Sequence, residues 1–137
     1  MSDAVLGLDV GTRRIGVAIG EGTFAFPHST LERTNVRDDI EQIVAIAQER
    51  GAHVIVVGDP LTMSGERGIA SENIDAFVAH LARRYGGAVE RVDERLTTAA
   101  AQKALIGADV SRARRKKVVD QLAAVGILET WLARRKP

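Results

Sequence analysis

The hydrophobic pattern changes period once along this chain, near residue 35, and that change limits the folds open to it. Before it, apolar runs over 4–10, 15–19 and 23–26 are separated by glycine turns, and Pro27 stops the third. Tight turns between such runs specify antiparallel hairpins. After it, Val36, Ile40, Ile43, Val44 and Ala47 follow helical spacing, with Asn35 or Thr34 as cap and Gly51 as stop. Residues 53–58 read as a buried strand, and Gly65 to Gly68 as a loop. Ile74, Phe77, Val78, Leu81 and Tyr85 mark a second helix, ended by Gly86 and Gly87. A fifth strand follows over 88–92, then a short helix from Thr97 or Thr98 through Ile106. Residues 107–115 read as a polar, basic connection before a last helix from about Lys116 to Arg134.

The order β-β-β-α-β-α-β-α-α predicts an α/β fold with a mixed five-stranded sheet flanked by helices. Three antiparallel strands come first. Two strands then join in parallel through right-handed crossovers. At 137 residues the chain is expected to be one domain, 1–137, large enough to bury a core without staples. It has no cysteine, which excludes disulfides, zinc ribbons and thiol nucleophiles and fits a reducing, cytoplasmic setting. No apolar run approaches the roughly 20 residues that span a bilayer, and Met1-Ser2-Asp3 opens no signal-peptide pattern. Neither a membrane nor secretion is expected.

Three acids stand where an acid is locally expensive. Asp9 ends the apolar run of the first strand, Glu94 ends the fifth strand, and Asp120 lies on an apolar helical stripe with Ala124, Ile127, Leu128 and Trp131. Each has an ordinary structural reading: a turn former, a helix-start acid and an ion-paired acid. Together they point further, because carboxylates at buried positions need protons, partners or metal. If the first strand is central, the ends of the parallel strands share one edge, and a helix across it adds the third acid. Such a cluster suits magnesium or manganese, and two ions roughly 3.5–4 Å apart would clamp a scissile phosphate.

The net charge of +1 conceals an asymmetry. From Val110 onward there are eight Lys/Arg against two acids, leaving eleven basic and sixteen acidic residues in the body. A basic segment on a near-neutral protein suggests contact with a polyanion, although a solvated loop has the same composition. Arg112, Arg114, Arg115, Lys116 and Lys117 are the expected phosphate contacts there, with Arg13, Arg14 and Arg95 beside the acids. Thr12 could join them, and Thr97 reads as a cap. His28, His53 and His80 show no ligand spacing, and Met63 and Trp131 read as packing groups. Five aromatic residues are too few for a base-stacking platform.

The segment LGLDVGTRRIGVA, Leu6 to Ala18, resembles the first motif of the YqgF (RuvX) family, within the RNase H-like nuclease superfamily. VVGDPLTMSG from Val56 to Gly65 is similar to its second motif and VDERLTT from Val92 to Thr98 to its third. Asp120 with Ala123, Ala124, Ile127, Leu128 and Glu129 resembles its last helix. The likeness is colinear over essentially the whole chain. The DERLTT string is specific, whereas DxGT alone is weak.

The resemblance implies an RNase H-like fold with Asp9, Glu94 and Asp120 as catalytic metal ligands. It also implies a hydrolase acting on phosphodiester bonds, with a role in maturing the 5′ end of pre-16S ribosomal RNA. Resolution of Holliday junctions in branched DNA is the alternative, and symmetric cutting there would favour a homodimer. One departure is Asp59, where an apolar residue, commonly Leu, is expected before Pro60. It brings a fourth acid to the strand edge, either as an extra ligand or in place of part of the role of Glu94. Two readings of other classes compete. A noncatalytic nucleic-acid-binding subunit would not need all three acids. An ATP-binding protein of the actin and sugar-kinase type also opens with DxGT, but needs two such lobes around its nucleotide.

Overall fold

Strand β1 (Val5–Val10) is buried on both faces, and the fold is built outward from it. The computed structural model describes residues 4–60, 68–94 and 112–135, with side chains along the last helix from 119 to 134. β1 pairs antiparallel with β2 (Arg14–Glu21), which pairs antiparallel with β3 (Phe24–Glu32). On its other side β1 pairs parallel with β4 (Val54–Asp59), which pairs parallel with β5 (Ala88–Asp93). The sheet order is β3-β2-β1-β4-β5. This is the expected α/β arrangement, three antiparallel strands followed by two parallel crossover strands.

Two crossover helices join the parallel strands. α1 (Val36–Arg50) begins at Asn35, whose side chain accepts the Asp38 amide, and ends at Gly51 in the left-handed region at φ 67°. α2 (Ile69–Tyr85) ends at Gly86. The Tyr85 hydroxyl donates to the Ala52 carbonyl at 2.6 Å, tying the end of α2 to the connection after α1. Burial raises the pKa of that phenol above its ordinary value. α3 (Arg112–Arg135) closes the described chain.

The core has two halves, one on each face of the sheet. Leu6, Leu8, Ile55 and Val57 face α1 and α2 and pack with Ile43, Ile74, Phe77 and Leu81. Val5, Val54, Val56 and Val92 face α3 and pack with Ala124, Ile127, Leu128 and Trp131. Strand alternation thus assigns odd positions of β1 and even positions of β4 and β5 to the α3 face.

Two expectations need correction. Pro27 does not stop β3, which continues to Glu32. β3 is an edge strand, where a residue without an N–H costs the sheet no hydrogen bond. The register also shifts here: Ala18 faces Pro27 while Val17 faces Ser29, leaving His28 as the extra residue of a bulge. The last helix begins at Arg112 rather than Lys116, so 112–115 are helical rather than a connection. Residues 97–106, given a short helix above, lie outside the described residues, as does most of the 65–68 loop. Among the described residues, no helix is long and apolar enough to cross a membrane.

Candidate active site

Asp9 and Glu94 reach the same cleft by the same route. Each ends or follows a strand at the C-terminal edge of the parallel part of the sheet. Asp9 is the fifth residue of β1 and is 5% exposed. Glu94 directly follows β5. The cleft they line is about 730 Å3 and includes Gly11, Thr12, Arg33 and Asn73. A second cleft of about 760 Å3, between α1 and α2, is lined by Arg37, Glu41, His80 and Arg84 and contains neither acid.

Two glycines let α3 pack close to the strands beside these acids. A Cβ on Gly58 would lie 3.7 Å from the carboxyl carbon of Glu94 and 2.6 Å from Ile127, so Glu94 lies over the end of β4 on the α3 face. Gly16 pairs directly with Asp9 across β1 and β2. A Cβ on Gly16 would stand 1.9 Å from the Asp120 carbonyl oxygen, an impossible approach. The missing side chain of Gly16 therefore lets α3 settle on β2 and brings Asp120 beside the strand pair that carries Asp9. A glycine inside a strand signals such close approach, and that is the sequence signal by which Gly16 could be found.

Asp120 is 16% exposed and accepts a hydrogen bond from Arg14 Nε at 2.8 Å. Arg14 is thus the ion partner of a site acid. Among the described residues, no three His, Asp or Glu side chains converge closely enough to hold a metal ion. Asp9 and Glu94 share the cleft, while Asp120 is turned to Arg14 and does not line it. As oxygen donors, the three carboxylates fit a hard divalent cation such as magnesium or manganese. Arg14 bonds one oxygen of Asp120, Oδ2, and so sets the direction of that carboxylate.

Asp59 has other partners. It ends β4 opposite Asp93, and alternation turns it to the α2 face, away from Glu94. Ser71 Oγ donates to Asp59 Oδ1 at 2.5 Å, and Arg91 Nη2 lies 3.2 Å from the same oxygen without an aligned hydrogen bond. Arg91 also pairs with Asp75. Asp59 therefore anchors the first turn of α2 and neutralises Arg91. Arg13 is exposed in the β1–β2 turn. Arg95 lies outside the described residues, as do the side chains of Arg112, Arg114, Arg115, Lys116 and Lys117.

Comparisons with known proteins cover nearly the whole chain. A family model described as RuvX, Holliday junction resolvase, matches residues 3–134. The chain belongs to the RuvX family. A RuvX relative from Myxococcus xanthus, named as a proposed pre-16S rRNA nuclease, is 43% identical over 134 residues, covering 96% of this chain and 89% of its own. Another from Clostridium tetani, with the same name, is 45% identical over 130 residues, covering 93% and 94%. Solved structures extend the likeness to the RuvC-type, RNase H-like fold. Thermus thermophilus RuvC in complex with a Holliday junction substrate matches at TM-score 0.55 and 15% identity, covering 96% of this chain and 94% of that one. The yeast mitochondrial Holliday junction resolvase Ydc2 matches at TM-score 0.54 and 13% identity, covering 93% and 77%.

Proposed function

We propose that this RuvX chain is a divalent-metal-dependent nuclease that hydrolyses phosphodiester bonds in 5′-end maturation of pre-16S rRNA. The observation that carries the reading is the placement of Asp9 and Glu94 on one cleft, with Asp120 brought beside Asp9 by Gly16. The shared name of its relatives supplies the substrate. That role places the protein in the cytoplasm.

In this reading Asp9, Glu94 and Asp120 hold magnesium or manganese, two ions in the full site. The metal supplies an activated water and charge stabilisation for the leaving oxygen. The protein supplies the rest. The buried strand edge holds Asp9 in one position, so little rearrangement is needed to present its charge. Arg14 orients Asp120 through the bond from its Nε to Oδ2. Arg13, exposed in the β1–β2 turn, and Arg95, next to Glu94 in the sequence, are further phosphate contacts in this reading. Arg112, Arg114, Arg115, Lys116 and Lys117 guide the nucleic-acid backbone toward it.

A panel of substrates tests the reading: a pre-16S leader RNA, single-stranded RNA and DNA, duplexes of each, and a four-way DNA junction, each with magnesium or manganese. Metal-dependent cleavage of the leader near the mature end, above the other substrates, is the expected result. Paired cuts in the junction, with a protein that dimerises on it, would instead favour the resolvase reading. Binding without any cleavage would point to a noncatalytic subunit.

A further inference from the structure

Arg33 ties the β1–β2 turn to α1 and α2, and its side-chain bonds lie outside the ladders of the helix and strand beside it. It follows β3 and precedes the α1 cap. Its Nε donates to Asp39 Oδ2 at 3.1 Å. Its Nη1 donates to the Gly11 carbonyl at 2.8 Å, and its amide donates to the Arg13 carbonyl at 2.9 Å. Its guanidinium lies 5.4 Å from the centre of the Phe77 ring on α2. Asp39, in the first turn of α1, is 2% exposed and also accepts the Thr34 amide at 3.0 Å.

The turn held in this way is the β1–β2 turn. It is closed by the Gly11 amide donating to the Arg14 carbonyl at 2.9 Å. Two residues before it stands Asp9, and at its end stands Arg14, bonded to Asp120. One fork therefore joins a buried carboxylate on α1 to the turn that sets Arg14. A planar guanidinium presents these donors in a fixed fork, whereas an ammonium is a point charge on a flexible stem.

We propose that Arg33 is a positioning residue for the reaction: clamped by the buried Asp39, it fixes the β1–β2 turn so that Arg14 meets Asp120. The proposal rests on the nuclease reading for its kinetic consequence but not for its structural one. The test uses the full chain with R33M and R33K. Side-chain NMR of the Arg14 Nε–H, without metal or nucleic acid, reads the Arg14–Asp120 bond directly. Both variants are expected to shift that signal and remove its protection from exchange. With the leader RNA, R33M should lower kcat by about 10–100-fold, the usual cost of removing a group that orients a ligand, while KM changes by less than about threefold. R33K, which keeps the charge but not the fork, should recover part of kcat, and it carries the test if R33M does not fold. An unmoved Arg14 signal, an unchanged kcat in a folded variant, or a rise in KM alone would overturn the proposal. If the wild type cleaves nothing, the nuclease reading fails, and the NMR signal still decides whether Arg33 sets the turn.

Discussion

Asp59 and Glu94 end neighbouring parallel strands one step apart in register, yet face opposite sides of the sheet. Their side chains therefore belong to different tasks. Glu94 lies over Gly58 and lines the cleft with Asp9. Asp59 meets Ser71 and Arg91. E94Q should nearly eliminate turnover and weaken metal binding, because it removes a ligand charge while keeping shape. D59L should retain substantial cleavage and unaltered metal affinity. Its cost falls on stability, about 1–3 kcal/mol for the buried polar partners it strands, reduced by the pairing Arg91 keeps with Asp75. Urea denaturation and metal titration of both variants separate the two effects. An inactive D59L beside an active E94Q would put the third ligand on β4 instead of after β5.

At the scale of elements, what was legible in the sequence follows its periodicity. The hairpin of β1 and β2, both crossover helices and both parallel strands carry clear apolar periods and glycine stops, and they form as read. β3 was cut short because Pro27 reads as a terminator, and only the edge position and the bulge make it tolerable. The start of α3 was hidden for a different reason. Arg112 to Lys117 show no apolar stripe, although Arg and Lys are good helix formers. The Asp39–Arg33 clamp was invisible because Asp39 sits where any first-turn acid suits the helix dipole. Arg114, Arg115 and Lys116 belong to the helix that carries Asp120. Replacing all three by Ala should weaken nucleic-acid binding across sequences and flatten the dependence of log affinity on log salt by up to about two units, at roughly 0.7–0.9 for each phosphate no longer neutralised. Filter binding over a salt series measures both. An unchanged slope and affinity would make this turn of α3 a solvated helix end.

On the scale of the whole molecule, the sheet lies between a larger core and the helix that carries Asp120. One face, under α1 and α2, holds the larger part of the core and the Asp39 clamp. The other, under α3, lets that helix settle close, with Gly16 meeting the Asp120 backbone and Gly58 meeting Ile127. Asp9 and Asp120 stand 111 residues apart in the chain and come to neighbouring strands because β1 is central and α3 folds back onto β2. If they form one catalytic unit, their effects on rate cannot add. The direct measurement is the cleavage rate of the leader RNA in magnesium for the wild type, D9N, D120N and the double variant, with circular dichroism showing each folded. Each single variant should lose cleavage, and the double should lose no more than the worse single, as residues acting together do. Wild-type rates in either single variant, or losses that multiply in the double, would contradict a shared site built from Asp9 and Asp120.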